Sequence, residues 1–516
     1  MSKKHMTQGG PGDKFLGDGK VDTSKWFQRT RNLEQEIKNG DIWFCSAPFQ
    51  LLYTNTSGTL APCSWAEDIH DRGPNVLAYG DKFEKRKTLK DYYLHDPTLN
   101  KIREEMTTVG SDLETCNYVC YNCRHQEEKY GRSRRQASMK IQTNDKILWP
   151  RIRNVAEEFL ADGRVSLKDR IFEVQVKAFG NKCNLDCYMC IPFDSSVRMK
   201  TMGSEELKEE NVFSDGMKKK IELPPTGSLD DVIDQITELA PYIYNLKLIG
   251  GEPLVMPKFY KLLEEIIKTG EAPHIMLKYQ TNITTLAFDK HKIAEFIPEF
   301  ELFEFTVSLD GIEKENDYIR RRSSWSNIVH NMQYVSMFPN VHVNINGTIS
   351  FLSVLRFYRL IEWANDNGDI IKQINWSNIR GPKRICANVL PQKLKDKLIP
   401  MYEGYPDIQN VLKESNHGHS HQDALDYLML FDNKYKGTKW EMNLFDVYPE
   451  LEEFYNPPKE VKRDEDFVSD VENYDIQDVI LHPKIQDAIK EQNESPELSN
   501  YIKEHDKILA ENKNER

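Results

Sequence analysis

The stretch that most constrains this chain is Cys183-Asn-Leu-Asp-Cys187-Tyr-Met-Cys190, a C-x3-C-x2-C run directly after the strand-like segment 172–179. Three thiolates this close together can hold three irons of a cubane [4Fe–4S] cluster and leave the fourth iron without a protein ligand, open to a substrate or cofactor. A zinc site would ask for four ligands in two pairs, and no partnering Cys-x2-Cys pair follows Cys190. Downstream, Leu246-Lys-Leu-Ile-Gly250-Gly251-Glu252-Pro253 reads as a buried strand running into a glycine-rich turn.

Nine cysteines in a chain of 516 residues fall into two groups, Cys45 to Cys123 and Cys183 to Cys190, with Cys386 left as a structural residue. Clustered cysteines in a reducing compartment are more often metal ligands than disulfides. No apolar run reaches the length of a membrane span, and the opening Met-Ser-Lys-Lys-His lacks the apolar core of a secretory signal, so a cytoplasmic protein with no membrane partner is expected. The net charge of −12 makes a nucleic acid partner unexpected. Residues 1–25 are polar and expected to be poorly ordered.

In the first cysteine group, residues 43–63 read as a hairpin around an Asn-Thr-Ser-Gly turn, with Cys45 and Cys63 at its ends. A charged helical stretch at 89–107 leads to Cys116-Asn-Tyr-Val-Cys120-Tyr-Asn-Cys123. Four thiolates of this group would complete either one [4Fe–4S] cluster or a zinc ribbon. Cys116-x3-Cys120-x2-Cys123 shares the spacing of the 183 loop, but it follows a polar turn where the 183 loop follows a strand.

In this order and spacing, the 183 loop and Gly-Gly-Glu-Pro resemble the radical S-adenosylmethionine (SAM) superfamily. Cys45-x12-Gly58-x4-Cys63 with Cys120-x2-Cys123 is similar to the SPASM/twitch module of such proteins, placed here before the catalytic part instead of after it. The resemblance implies a SAM-binding [4Fe–4S] cluster on Cys183, Cys187 and Cys190. It implies a second, auxiliary [4Fe–4S] cluster on Cys45, Cys63, Cys120 and Cys123, which leaves Cys116 over. Gly250, Gly251, Glu252 and Pro253 would receive the methionine end of SAM, Ser308 and Asp310 the ribose side, Arg320 the carboxylate, and Asn344 would join them.

From residue 172 strand-like and helix-like segments alternate, which signals an α/β fold with a parallel sheet. The expected strands are 172–179, 245–249, 275–281, 303–309, 342–349 and 373–379. Between them the spacing predicts helices at 229–242 capped by Ser228, 259–268 closed by Gly270, 290–297, 325–337 and 354–364. Six βα units match the partial (β/α)6 barrel of the resembled superfamily, whose polar strand ends make a crater for SAM and substrate. The expected domains are an auxiliary-cluster domain at 40–140, the partial barrel at 165–392 and a helical extension at 393–516. His417-Gly-His419-Ser-His421 reads as a solvated loop, and 479–489 as a peripheral helix.

The resemblance further implies an oxidoreductase-type enzyme that cleaves SAM reductively and takes hydrogen from a peptide, protein or small polar substrate. The auxiliary cluster would relay electrons, and a flavodoxin or ferredoxin type of donor would supply them. The competing reading is a catalytically silent iron–sulfur and SAM-binding scaffold.

Overall fold

The computed structural model describes residues 32–55, 58–66, 87–131, 133–201, 229–379, 381–416 and 418–456. The expectations for 1–25, Ser228, His417 and 479–489 lie outside these residues. The strands are β1 Leu51–Thr54, β2 Leu60–Ala61, β3 Phe172–Val176, β4 Asp186–Cys187, β5 Ile243–Leu248, β6 Met276–Thr281, β7 Ala287–Phe288, β8 His291–Lys292, β9 Leu302–Ser308, β10 Arg320–Arg321, β11 Val341–Ile349 and β12 Ile371–Asn378. All six expected strands form, as β3, β5, β6, β9, β11 and β12. The chain packs as two compact units: the described residues within 1–178, 225–247 and 261–277, and those within 179–224, 248–260 and 278–516.

In the first unit the strand order is β5-β3-β1-β2. The expected hairpin forms from β1 and β2, paired antiparallel through Tyr53↔Ala61. Cys45 lies outside it, ahead of a one-turn helix at Ala47–Gln50 that replaces the expected extended start. Pro48 explains the turn, since its fixed φ suits the first helical positions. The same β1 runs parallel to β3, from Leu51↔Glu173 to Thr54↔Val176. Helix Leu148–Asp162 buries Trp149, Ile152, Val155, Ala156 and Phe159 at helical spacing and stops at Gly163, whose left-handed φ of 65° lets its N–H reach Phe159 O. Trp149 and Phe159 meet Phe44 and Phe49 edge to face.

In the second unit the order is β12-β11-β9-β6, and β11 runs parallel to both β9 and β12. On β9 the buried Phe303, Phe305 and Val307 alternate with half-buried Glu304, Thr306 and Ser308, which gives this strand one apolar and one polar face. Helices Trp325–Ser336 and Ser353–Asp366 follow β10 and β11 as the spacing predicts. The helix expected at 290–297 does not form. Asp289 takes a left-handed φ of 53° and turns the chain between β7 and β8, paired Phe288↔His291, and Pro298 then falls in short 3-10 turns. His291 stacks on Tyr260 with ring centres 4.7 Å apart, a contact outside the local pattern that the periodicity reflects.

Gly347 of β11 marks a close approach of helix to strand, because a Cβ there would lie 2.5 Å from the Phe357 ring and 3.0 Å from Leu309 O. Gly347→Ala is therefore expected to destabilise the chain by about 1–3 kcal/mol through overpacking. Urea unfolding checks this, with Gly381→Ala, where nothing stands within 4 Å of the added carbon, as reference.

Candidate active site

The cysteine loop of the second unit leaves Gly180 and is tied at both ends. Ser196 donates its N–H to Asn181 O and its hydroxyl accepts from Cys183 N, at 2.9 and 3.1 Å. In the middle, β4 pairs antiparallel with β10 through Arg320↔Cys187 and Arg321↔Asp186, and Tyr188 N donates to Ile319 O. The loop is thus a strand partner and not a free turn. Cys187 is buried, and Cys183 and Cys190 are half-buried. Burial pushes the Cys183 thiol up to about 12 and Cys187 to about 11, and it raises Cys190 well above the ordinary thiol value. Ionised sulfur here needs positive charge close by.

Arg320 supplies one such charge. Its guanidinium donates to Cys187 Sγ at 3.8 Å and pairs with Asp310 at 2.8 Å, while Asp310 Oδ1 accepts from Thr348 N. Arg320 and Asp310, expected at opposite ends of SAM, are thus partners of each other and neighbours of a thiol.

Gly-Gly-Glu-Pro follows β5 and comes against the start of the cysteine loop. Gly251 has a φ of 49°, and a Cβ on it would sit 2.2 Å from Lys182 O and 2.6 Å from Met256 Cε, so any side chain would force the two loops apart. The next residue fastens them, with Glu252 N donating to Lys182 O at 2.8 Å. The Glu252 carboxylate is 1 % exposed and accepts from Leu254 N, Thr281 Oγ1 and Asn282 N at 2.6–3.0 Å. Burial outweighs these bonds and pushes its carboxyl up to about 7. Of the roughly four acceptor positions of a carboxylate, three are taken by this chain's own donors. Asn282 passes the tie on to Asn184 inside the cysteine loop, and Asn184 holds Thr284, at 2.9 and 2.7 Å. Between them Ile283, fully buried and β-branched, takes a φ of 50°. Pro253 opens a buried 3-10 turn that ends the motif.

Ser308 and Asn344 lie on neighbouring strands, with Ser308 opposite Asn346 and Asn344 opposite Thr306 and Gln373. Asn344 is buried and its Oδ1 has no hydrogen-bond partner among the described residues. Such an acceptor suits a ligand N–H or O–H.

In the first unit Cys63 and Cys120 come within electrostatic reach of each other, and Cys45 and Cys123 each within reach of both. Burial raises all four thiols, Cys63 to about 12, while for Cys120 the largest cause is a hydrogen bond with Cys116. Trp65 N donates to Cys63 Sγ at 3.4 Å. Cys116 is fully buried, its N–H bound by Glu105 at 2.8 Å and its sulfur directed to Ile102 O. Among the described residues, no three His, Cys, Asp or Glu side chains converge as ligands of a single ion. Cys386 is buried and donates to Ile379 O at 3.4 Å. His421 opens a helix and meets Phe454 edge to face. None of Asn184, Asp186, Arg198, Thr281 and Asn282 stood out in the sequence reading as a site residue. Thr281 and Asn282 had the signal of a polar strand end, but Asp186 and Arg198 carried none.

Residues 178–348 match the family model described as the Radical SAM superfamily. No curated protein matches the chain. Among solved structures, native anSMEcpe with bound AdoMet shares 16% identity over 53% of this chain and 64% of its own, with a TM-score of 0.30. Streptococcus suis SuiB bound to S-adenosylmethionine shares 12% over 52% of this chain and 57% of its own, with a TM-score of 0.32. SuiB bound to precursor peptide SuiA shares 12% over 69% and 68%, with a TM-score of 0.30. The chain spans less than two thirds of the first two. Both motifs, the 183 loop and Gly-Gly-Glu-Pro, lie within the 178–348 stretch that matches this family model.

Proposed function

We propose that the chain is a radical SAM enzyme whose cluster is held by Cys183, Cys187 and Cys190, with SAM bound beside Gly250–Pro253, Ser308, Asp310, Arg320 and Asn344. The observation that carries this reading is the lacing of a buried three-thiol loop to Gly-Gly-Glu-Pro through Lys182 O and the Glu252–Asn282–Asn184 chain. A cluster held by these thiols would supply one-electron reductive cleavage of SAM, the source of a radical able to take hydrogen from substrate.

The donor set fits such a group. One buried and two half-buried thiols share the loop with Arg320 beside one of them, Gly251 lets the backbones close up, and Asn344 Oδ1 is an acceptor without a partner among the described residues. Metal binding must displace protons from thiols that burial keeps neutral, so loading is expected to be steeply pH-dependent. Glu252 holds the loop against the strand ends and keeps one acceptor position for the SAM amino group. The polar faces of β9 and β11 suit a peptide, protein or small polar substrate better than an apolar one.

Cys45, Cys63, Cys120 and Cys123 are proposed to hold a second cluster in a twitch-like domain. With four protein ligands it would have no open iron, which favours electron relay. Cys116, hydrogen-bonded to Cys120, would sit behind the ligand set.

Anaerobic reconstitution is expected to load about eight irons per chain, the content of two cubanes. Changing Cys183, Cys187 and Cys190 together to Ala should leave about half of that iron and abolish 5′-deoxyadenosine formation from SAM and dithionite. Four irons with one tightly held zinc would remove the auxiliary cluster and keep the other.

Glu252→Gln turns an amide N–H toward a donor on β6 or on Asn282. It is expected to weaken SAM binding about tenfold or more, on the scale of one unsatisfied buried group. Equilibrium dialysis with SAM measures this, and binding equal to the parent would remove Glu252 from the site.

Cys116→Ala should keep the auxiliary cluster's iron and visible absorption, while Cys120→Ala should lose or convert that cluster. The reverse pattern would give the cluster to the C-x3-C-x2-C triplet and leave it an open iron.

A further inference from the structure

The tail of the second unit contains a helix, His421–Tyr435, whose buried face the proposed chemistry does not use. It is capped by Ser420 and Asp423 in a reciprocal box, and Ala424, Leu428, Phe431 and Tyr435 recur along it at helical spacing. Its two inward tyrosines bind the cysteine loop directly. Tyr427 OH donates to Tyr188 O at 2.6 Å, and Tyr435 OH donates to Asp186 Oδ2 at 2.7 Å.

Between these contacts lies Arg198, fully buried, which donates to Tyr427 OH, to Asp186 Oδ1 at 3.5 Å and to Cys190 O at 3.3 Å. Phe431 offers its ring to Arg198 at 5.3 Å and to Arg321 at 5.0 Å. Arg321, paired with Asp186 in the β4–β10 ladder, forms a 2.8 Å ion pair with Asp432 of the same helix. A helix needed only for packing would present apolar side chains here, because a buried hydroxyl is costly unless it is bonded. This face is hydroxyl, ring and carboxylate in turn, each matched to a group on or beside the 186–190 segment.

We propose that helix His421–Tyr435 is a positioning element of the cysteine loop, with Tyr427, Tyr435 and Arg198 holding Asp186 to Cys190 in the ligating arrangement and setting the charge felt beside Cys187. The second half of the statement rests on the reading of that loop as a cluster site. Asp186 precedes Cys187 and is fully buried, so the Tyr435 and Arg198 donors determine how much of its negative charge reaches the sulfur.

The test uses the full-length chain with Tyr435→Phe and Tyr427→Phe, which remove only hydroxyls, and Leu430→Ala, 42% exposed on the same helix, as control. In cluster-free protein, iodoacetamide labelling of each cysteine is timed by mass spectrometry. Both tyrosine variants should raise the rate at Cys190 roughly tenfold, the scale of one lost buried hydrogen bond to a charged group. Cys386 and the Leu430→Ala chain should stay at the parental rate. In reconstituted protein of equal iron content, Tyr435→Phe should move the midpoint potential of the loop's cluster downward, because Asp186 has lost a donor.

Parental labelling rates and potential in both variants would overturn the proposal. So would equal acceleration at all cysteines with a lowered melting temperature, which would make the helix a general stabiliser. If Tyr435→Phe fails to fold, Tyr427→Phe decides the labelling arm alone. A parent chain that takes up no iron at this loop would sink the cluster reading, while the labelling arm still judges the latch.

Discussion

One buried and two half-buried thiols share one short loop, and much of the second unit answers to that constraint. Sulfur ionises in such a place only beside positive charge, and each arginine brought in must itself be compensated. The result is a set of buried or nearly buried arginine–aspartate pairs on this loop and on the strand beside it: Arg198 with Asp186, Arg320 with Asp310, Arg321 with Asp432. Each pair also spends its remaining donors or acceptors on backbone, at Cys190 O, Thr348 N, Trp440 O and Leu444 N. Buried ion pairs of this kind are weak sources of stability but hold their surroundings in one arrangement, which is what a ligating loop requires.

A second constraint is distance. Gly-Gly-Glu-Pro reaches the cysteine loop only because Gly251 has no side chain, and Glu252 then turns proximity into attachment, by its backbone to Lys182 and by its carboxylate to Asn282. The left-handed Ile283 beside Asn282 stays in place because neighbours hold it on several sides: Thr281 Oγ1 bonds its N–H, and Asn331 bonds its carbonyl. Backbone in that region persists where its surroundings over-determine it.

Much of the fold was legible in the sequence. The six strands alternate or run apolar over short stretches bounded by Gly, Pro and Asn, and they form where that pattern predicts. The helix expected at 290–297 fails because periodicity is blind to the left-handed Asp289, to Pro298 and to the stacking of His291 on Tyr260. The parallel pairing of β1 with β3 was equally invisible, since it joins residues far apart in the chain. In the site, the cysteines, glycines and Glu252 were readable because their residue types are chemically unusual at those spacings. Asp186 and Arg198 are ordinary charged letters until one sees that neither is exposed.

The sequence by itself determined which groups are present: two sets of thiols at ligating spacing, a glycine pair where backbones must touch, polar residues at strand ends, and the helical period of the tail. These are local properties, and local spacing is enough to state them. Only the tertiary structure decided which groups meet. It pairs Arg320 with Asp310 and Cys187, gives three of the acceptor positions of Glu252 to its own chain, and turns Tyr427 and Tyr435 onto the cysteine loop. Such partnerships depend on which buried donor is left for which buried acceptor after the core has closed, and no stretch of sequence contains both members of the pair.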